Sequence, residues 1–336
     1  MRLPVVDVIA GHEHFRDHTV PVWKAMPPEM RGGYFTKRSL DPGLRDEPYN
    51  YERAGHGDLT LVCSYGDLFS ATAQDEFHRP VVFMEHGAGF TFEGSDGRTL
   101  SSYSGSLDRP NVALFLNPND YVTQQNARAH PDTPQVVIGS PKMDRWYHGL
   151  PTTPFQRGET DRPTVAIALH WDCIIAPGTR SAYAHYRGWF GSLLDKGWNV
   201  VATAHPRFKL QMEMECLSAG IPFVNSLTYL FEKADVMIAD ATSAMYEFAS
   251  LDRPVLVLNA PWYQEEKDDG IRFWKHIPGL QIDDPSILAD ATRMVLDDKA
   301  PLPTLRYNAI EAVYPHRGDA AQRAVDAIIA FAKEYG

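Results

Sequence analysis

The amino-acid sequence predicts an α/β protein with two Rossmann-like domains, each built on a doubly wound parallel sheet. Its 336 residues are too many for one ordinary hydrophobic core and suit two. Short apolar, β-branched runs alternate with helix-like stretches, and this order is typical of parallel strands covered by helices on both faces. A segment rich in proline and glycine, residues 149–163, separates the two halves and is interpreted as the linker.

The predicted strands are the continuous apolar runs, and the predicted helices are the stretches between them. In the first half, strands are expected near 5–9, 59–64, 80–84, 112–116 and 135–138. In the second half, strands are expected near 164–169, 199–203, 222–224, 235–239 and 254–258. Helices are expected over 181–196, 208–219, 227–233, 243–250, 286–298 and 318–334.

The predicted domains follow from this order of elements. The first covers residues 1–150, the second covers 151–317, and a C-terminal helix covers 318–336. That helix carries Asp319 near its start and Lys333 near its end, as the helix macrodipole favours, and is expected to pack back toward the N-terminal domain. Two such domains facing each other would form a ligand-binding cleft at the carboxyl ends of their strands.

The composition narrows the class of protein. The formal net charge of −11 argues against broad nucleic-acid binding, which depends on Lys and Arg, although a local basic cleft is compatible with it. The cysteines Cys63, Cys173 and Cys216 are far apart and form no CxxC pair, so neither a disulfide framework nor a thiolate zinc site is predicted. The sequence shows no signal-peptide pattern and no apolar run long enough to span a bilayer, so a soluble cytoplasmic protein is expected.

Two hydroxyl side chains and a histidine follow predicted strands of the second half. Thr242 and Ser243 stand where the strand at 235–239 gives way to a helix, and His205 follows the strand at 199–203. The start of a helix exposes free N–H groups and partial positive charge, so these residues could bind a diphosphate. The alternative is that one hydroxyl only caps the helix and that the histidine is an ordinary turn residue.

A histidine on a glycine-rich turn follows a predicted strand of the first half. The strand at 80–84 ends at Glu85 and His86, and Gly87 and Gly89 follow, where glycine permits positive φ and close backbone approach. His86 could take a proton from an attacking hydroxyl near neutral pH, with Glu85 orienting its imidazole. The alternative is a buried histidine in a glycine-rich connection.

Several catalytic motifs are absent from the sequence. No Asp-x-Asp pair and no GxxxxGK[ST] loop occur, and HGAGF is not a complete GxGxxG, so neither a bound metal nor a nicotinamide cofactor is predicted. The stretch HEHFRDH at 12–18 lacks the HExxH spacing, and His12, His14 and His18 cannot all lie on one helical face. A loop that contacts an acceptor substrate is expected there instead of a metal site.

Five stretches resemble, in the same order, those of the CDP-glycerol glycerophosphotransferases of teichoic acid synthesis, within the larger group of GT-B transferases. They are HGAG at 86–89, IGSPKMD at 138–144, TAHPRF at 203–208, ADVMIADATSAMYEFASLDRPVLVL at 234–258 and RGDAAQR at 317–323. The block at 234–258 is the most specific of the five.

The resemblance implies a GT-B fold whose N-terminal domain binds the acceptor and whose C-terminal domain binds a nucleotide-diphosphate donor. It implies His86 as the candidate base, with Glu85 beside it, and His205, Thr242 and Ser243 as ligands of the donor phosphates. No cofactor and no metal are implied. The remaining residues assigned to the nucleotide or the cleft are Gly87, Gly89, Ser140, Asp144, His170, Asp240 and Glu247.

The sequence departs from the usual family pattern at two strand ends. It has Asp240-Ala241-Thr242-Ser243 where Asp-Tyr-Ser-Ser is usual, and His170 and Trp171 stand where the family often has Pro-Thr-Trp-Arg. It also lacks an obvious basic helix that would support peripheral membrane contact. These differences leave the identity of the donor and of the acceptor open.

The expected reaction moves a glycerophosphate or glycosyl group from a nucleotide-activated donor, such as CDP-glycerol or a nucleotide sugar, to a hydroxyl-bearing acceptor without a required metal. Attack at phosphorus and attack at an anomeric carbon both remain open. The alternatives are a phage-type glycosyltransferase acting on modified DNA bases, a UDP-sugar 2-epimerase-like enzyme or hydrolase, and a non-enzymatic nucleotide-binding module.

Overall fold

The strands and helices form two units in the computed structural model of the chain. Unit 1 comprises Met1–Gly89, Leu100–Gly149 and Tyr314–Gly336, and unit 2 comprises Phe90–Thr99 and Leu150–Val313. The structure describes residues 2–36, 46–48, 57–64, 66–68, 79–88, 92–93, 99–100, 112–149, 162–172, 180–263 and 274–335. Most of the linker predicted at 149–163 therefore lies outside the described residues.

Within the described residues, the sheet of unit 1 has seven parallel strands in the spatial order β3-β2-β1-β4-β5-β8-β9. The strands are β1 (Val6–Ala10), β2 (Arg31–Thr36), β3 (Asp46–Pro48), β4 (Leu59–Val62), β5 (Val81–Met84), β8 (Val112–Asn117) and β9 (Gln135–Val137). A separate pair is formed by β6 (Phe92–Glu93) and β7 (Thr99–Leu100). The five strands predicted for the first half are confirmed, whereas β2 and β3 were missed because their polar and glycine residues mask the apolar pattern.

The sheet of unit 2, in the same described residues, has five parallel strands in the order β11-β10-β12-β13-β14. The strands are β10 (Thr164–Leu169), β11 (Asn199–Ala204), β12 (Val236–Ala239), β13 (Val255–Leu258) and β14 (Leu280–Ile282). Four of the five strands predicted for this half are confirmed. The fifth, at 222–224, is only an isolated bridge between Phe223 and Ala202, and β14 takes the opposite edge of the sheet.

Helices lie between the strands along the chain, and those whose bounds fall within the described residues are numbered here in chain order. They are α1 (Glu13–Ala25), α2 (Asp120–Ala129), α3 (Asp144–Gly149), α4 (Tyr183–Tyr186), α5 (Gly191–Leu194), α6 (Lys209–Ser218), α7 (Leu227–Lys233), α8 (Ala244–Ala249), α9 (Leu288–Asp297), α10 (Leu302–Val313) and α11 (Ala320–Tyr335). The helix predicted over 181–196 is broken into α4 and α5, because Gly188, which lies in the break, is a poor helix former.

The first helix corrects the expectation of a loop at 12–18. The segment after β1 enters α1 at Glu13, with His12 as its N-terminal flanking residue. The reason is visible in the packing, since Phe15, Val22 and Met26 recur at helical spacing and are buried in the core of unit 1. His14 and His18 therefore lie on a helix, and His12 directly precedes it.

The C-terminal helix α11 belongs to the core of unit 1. Its residues Ala324, Ile328 and Phe331 pack in one hydrophobic cluster with residues of β1, β4, β5 and α1. The unit boundary after Val313 lies a few residues before the boundary expected at 317. Strands β1, β4 and β5 are buried along their whole length, as expected for continuous apolar runs in a sheet that is covered on both faces.

Two of the three cysteines lie in the described residues, and both are free. Cys63 and Cys216 are buried, and burial raises the pKa of each thiol, that of Cys216 to about 12. Such thiols stay protonated near neutral pH and are poor nucleophiles and metal ligands. Among the described helices, none is both long and apolar enough to cross a lipid bilayer.

Candidate functional site

The carboxyl edge of the unit 2 sheet gathers the predicted donor residues. His170 follows β10, His205 follows β11, and Asp240 follows β12. In the sheet, β11 lies on one side of β10, and β12, which comes later in the chain, lies on the other side. The direction in which strands are added therefore reverses between β10 and β12. In doubly wound sheets, ligands bind outside the carboxyl ends of the strands at this topological switch point.

Asp240 ties the two loops at the switch point together. It is fully buried, and its carboxylate accepts hydrogen bonds from the backbone N–H of His170 at 2.8 Å and from the hydroxyl of Ser181 at 2.8 Å. The backbone N–H of Ala182 donates to the same carboxylate at 3.0 Å. These bonds run across the sheet edge, so Asp240 positions the segment that carries His170. Direct contact between Asp240 and a nucleotide stays a prediction.

The backbone hydrogen bonds of His205 orient its imidazole. Its own N–H donates to the carbonyl of Leu169 at 3.1 Å, at the end of β10. The N–H of Arg207 donates to Nδ1 of His205 at 3.2 Å. Because Nδ1 accepts, the proton of the neutral ring lies on Nε2. His205 therefore presents an N–H donor of the kind that binds a phosphate oxygen.

An aromatic and cationic cluster surrounds this imidazole. The ring of Trp171 stacks on that of His205, with centroids 5.9 Å apart and an interplanar angle of 29°. The guanidinium of Arg207 lies 4.7 Å from the centroid of the Trp171 ring, and the ring of His170 lies 5.6 Å from that of His205. The four side chains bring one cation and several N–H donors to one place, which suits an anionic ligand.

Thr242 and Ser243 lead into the short helix α8, as the sequence predicts. The Thr242 hydroxyl accepts a long hydrogen bond, 3.4 Å, from the N–H of Ala244, so it takes part in the capping that was the alternative explanation. Ser243 is already in helical conformation, and its side chain makes no capping bond. Both residues are partly exposed, whereas Glu247 on α8 is buried.

The glycine-rich turn after β5 holds His86 in unit 1. Gly87 has φ of 65°, the left-handed conformation that the sequence led us to expect of glycine there. The side-chain amide of Asn119 donates to the carbonyl of Ala88 at 3.1 Å, and its oxygen accepts from the N–H of Val122 at the start of α2. One side chain thus caps a helix and anchors the turn. Gly89 lies outside the described residues.

Glu85 is buried beneath this turn. Its carboxylate accepts a hydrogen bond from the amide of Asn126 at 3.2 Å, and the same amide donates to Asn117 at 2.9 Å. The amide of Asn117 donates in turn to Gln135 at 2.9 Å. This network of side chains links the end of β5 to α2 and β9. A role of Glu85 in orienting His86 stays a prediction.

A cluster of rings from α1 flanks His86. The ring of Phe15 lies 5.0 Å from that of His86, and the ring of His18 lies 6.0 Å away, both edge-on. Burial lowers the pKa of the His18 imidazole well below its ordinary value, and the positive charge of Lys142 and the neighbouring His86 and His14 lower it further. His18 is therefore neutral near pH 7.

The described residues of this cluster do not form a metal centre. No group of three or more His, Cys, Asp or Glu side chains in the described part of the chain is placed to hold a metal ion. His12 and His14 stack with ring centroids 5.8 Å apart, at the start of α1. Contact of this stretch with an acceptor stays a prediction.

The motif at 138–144 holds the C-terminal helix. Asp144 accepts hydrogen bonds from the N–H groups of Ala320 at 3.2 Å and Ala321 at 2.7 Å, so it caps the start of α11. Burial raises the pKa of the Asp144 carboxyl, although the two hydrogen bonds act in the opposite direction. Ser140 is also buried. Two of the five stretches that carry the resemblance, 138–144 and 317–323, thus meet in unit 1.

Three residues that position the candidate site were missed or left unassigned by the sequence reasoning. Asn119 anchors the glycine turn, His18 packs beside His86, and Trp171 stacks on His205. Asn119 precedes a helix, which is a recognisable capping signal, and the apolar spacing of α1 would have placed His18 on the face of Phe15. The stacking of Trp171 has no sequence signal, because it joins the ends of two neighbouring strands.

Two parallel α/β units with helices on their sheets define the GT-B fold class. Residues 189–330 match the family model described as CDP-Glycerol:Poly(glycerophosphate) glycerophosphotransferase. The resemblance seen in the sequence is thereby confirmed over these residues. No curated protein matches the chain.

Solved structures confirm the predicted fold class. The wall teichoic acid polymerase TagF superposes with a TM-score of 0.68 at 16% identity, covering 98% of this chain and 90% of TagF. The S. aureus MnaA–UDP structure gives a TM-score of 0.65 at 15% identity, covering 98% of this chain and 96% of MnaA. A UDP-N-acetylglucosamine 2-epimerase gives a TM-score of 0.63 at 13% identity, covering 100% and 98%. These identities establish the shared fold alone.

Proposed function

We propose that the protein transfers a glycerophosphate or glycosyl group from a nucleotide-diphosphate donor to an acceptor hydroxyl. The observation that carries the proposal is the carboxyl edge of the unit 2 sheet, where His205 presents Nε2–H beside Arg207 and Trp171, next to the switch point. The match of residues 189–330 to the glycerophosphotransferase model supports the same assignment.

The proposed donor site lies in unit 2. His205 and the N–H groups at the start of α8, with the hydroxyls of Thr242 and Ser243, would hold the diphosphate, and His170 would lie beside it. TagF soaked with CDPG and MnaA in complex with UDP are relatives by fold that bind nucleotide-linked ligands, which supports a nucleotide donor here. CDP-glycerol is the first donor to test because the matching family model names it.

The proposed reaction assigns the proton transfer to His86 in unit 1. The acceptor hydroxyl loses its proton to the neutral imidazole as its oxygen forms the new bond. For CDP-glycerol, the oxygen attacks the β-phosphorus, the bond from that phosphorus to the bridging oxygen breaks, and CMP leaves. For a nucleotide sugar, the oxygen attacks the anomeric carbon and a nucleoside diphosphate leaves. Either leaving group takes up negative charge that His205 and the start of α8 would stabilise.

A sugar-nucleotide epimerase or hydrolase is the second candidate function. It is favoured by the superposition with a putative UDP-N-acetylglucosamine 2-epimerase from Listeria monocytogenes, whose TM-score of 0.65 is close to the 0.68 of TagF. The two functions differ in their need for an acceptor, because an epimerase or hydrolase consumes the donor alone. Glycosyl transfer to modified DNA bases is a further alternative, and the net charge of −11 counts against it.

A panel of nucleotide donors tests the proposed function. We expect CDP-glycerol, CDP-ribitol or one of the UDP-, GDP- and TDP-sugars to raise the unfolding temperature, because a ligand that binds only the folded state stabilises it by mass action. A donor present at about 100 times its Kd adds about 2.7 kcal/mol to the free energy of unfolding. Failure of the whole panel to shift the transition would remove nucleotide donors from the proposal.

The double variant Thr242→Ala with Ser243→Ala is expected to weaken donor binding and leave the fold intact. The two hydroxyls would contribute hydrogen bonds to charged phosphate oxygens, so their loss should raise Kd by about tenfold or more. Calorimetry with the best donor of the panel measures the change. Ser250→Ala, just after α8, is the matched control, since its hydroxyl donates to the carbonyl of Glu247. Equal affinity of wild type and the double variant would remove this pair from the site.

Activity is expected to survive treatment with EDTA. The chain contains no Asp-x-Asp pair, and the proposed site provides His205, Arg207 and helix N–H groups for the charge of the leaving group. The measurement compares initial rates with and without EDTA, followed by addition of Mn²⁺ or Mg²⁺. Complete loss that either ion restores would show that carboxylates of this chain hold a required metal.

A cytoplasmic location is part of the proposal. The observation that supports it is that Cys63 and Cys216 are free thiols, as expected in a reducing compartment.

A further inference from the structure

The indole nitrogen of Trp171, at the proposed donor site, makes no hydrogen bond within the described residues. The Trp171 side chain is partly exposed, but its Nε1 atom is buried. No acceptor within the described residues lies at hydrogen-bond distance from this atom. An indole N–H can only donate, so it needs an oxygen or another acceptor. Buried N–H groups are nearly always paired, which indicates that this one meets a partner absent from the protein itself.

The neighbours of Trp171 indicate what kind of partner this is. Its ring lies against His205 and beneath the guanidinium of Arg207, and the ring of His170 is 6.1 Å from it. The adjacent carboxylate of Asp172 is bonded to Arg180 through both oxygens, at 2.7 Å and 3.0 Å. The side chains around the indole ring are thus two imidazoles and one guanidinium, and an anionic oxygen is the acceptor that a cationic cluster of this kind favours.

We propose that the Trp171 indole N–H binds the donor directly, by donating a hydrogen bond to an oxygen of its diphosphate. The inference rests on the proposed function and deepens it, since it adds a phosphate ligand that lies next to His205 in space. Trp171 thereby has two roles, because its ring also supports the imidazole through stacking at 5.9 Å. It is a donor-binding residue and takes no proton in the reaction.

The indole N–H resonance of Trp171 gives a direct test. The chain has seven tryptophans, and comparison with Trp171→Phe assigns one of the indole signals in a ¹⁵N correlation spectrum. We expect this signal to shift when CDP or inorganic pyrophosphate is added and to stay in place with cytidine. A shift with cytidine alone would place the indole at the nucleoside and overturn the assignment to phosphate.

Affinity provides the second readout. Trp171→Phe keeps a stacking ring and loses the N–H, so Kd for CDP should rise about tenfold while the unfolding temperature without ligand stays near that of wild type. Trp189→Phe, at an exposed position of unit 2, should change neither quantity. Wild-type affinity in Trp171→Phe, together with an unmoved indole signal at saturating CDP, would overturn the inference and leave the proposed function intact. Absence of CDP binding to wild type by calorimetry would overturn both.

Discussion

Replacing His86 by alanine is expected to cut turnover by about 10²–10⁴-fold, the usual range for loss of a general base. The imidazole stands on a turn with Gly87 at φ of 65°, at the carboxyl end of β5, and Phe15 packs edge-on against it. Donor affinity should barely change, because the donor residues proposed here belong to unit 2. Steady-state kinetics at saturating donor, with calorimetry for donor affinity, measure the two effects separately.

The pH dependence strengthens this prediction. A base acts in its neutral form, so the rate of the wild type should fall as pH decreases and the His86 imidazole takes a proton. The rate of the His86→Ala variant should not show this decrease at low pH. His18, the nearest ring from α1, has a lowered pKa and stays neutral over the same range, so it adds no titration near neutral pH.

The asparagine variant distinguishes catalysis from turn geometry. Asn tolerates unusual backbone conformations and keeps a hydrogen-bonding side chain, so His86→Asn should preserve the turn but not the proton transfer. We expect it to be nearly as slow as His86→Ala. Activity close to that of wild type would assign His86 to the turn alone and leave the reaction without a named base.

Asp240→Asn is expected to destabilise unit 2 by about 3 kcal/mol, since hydrogen bonds to a charged group are strong and an unpaired buried donor is costly. The carboxylate accepts from the N–H of His170, the hydroxyl of Ser181 and the N–H of Ala182. In the Asn variant, an NH₂ group would replace one carboxylate oxygen and would face hydrogen-bond donors that the oxygen now accepts from. The loop that carries Trp171 would loosen, and donor affinity should fall with stability.

Ser181→Ala is the matched control for this prediction. It removes one partner and leaves the carboxylate with both backbone N–H groups, so a loss of about 1 kcal/mol is expected. Urea unfolding of the two single variants and the double variant gives the coupling between them. An Asp240→Asn protein as stable as wild type would show that the carboxylate does not hold the two loops.

The fold class was predictable because burial is encoded locally in these strands. The residues of β10, β12 and β13 are almost all apolar, so the runs at 164–169, 235–239 and 254–258 identify strands covered on both faces. Where the pattern is polar or glycine-rich, as in Arg31–Thr36, the strand was missed. The helix at Glu13–Ala25 was missed because the polar residues of 12–18, among them three histidines, obscure the helical spacing of its apolar residues.

Part of the candidate site was predictable for a related reason. Parallel strands end at one edge of a sheet, so residues after strands, such as His170, His205 and Thr242, were expected near one another. The glycine at position 87 also predicted a tight turn after β5, and Gly87 has a positive φ in the structure. What these positions bind is a chemical proposal that the residue types support.

By itself, the sequence determined the alternation of strands and helices, the places where they end, and the residue types at those ends. Only the tertiary structure decided which distant groups meet: Asp240 with Ser181, 59 residues apart, and Asp144 with Ala320, 176 residues apart. The physical reason is that periodicity reports which face of an element is buried, whereas pairing between loops depends on strand order, and strand order is set by packing of the whole sheet. The stacking of Trp171 on His205 arises in the same way, from β10 and β11 lying side by side.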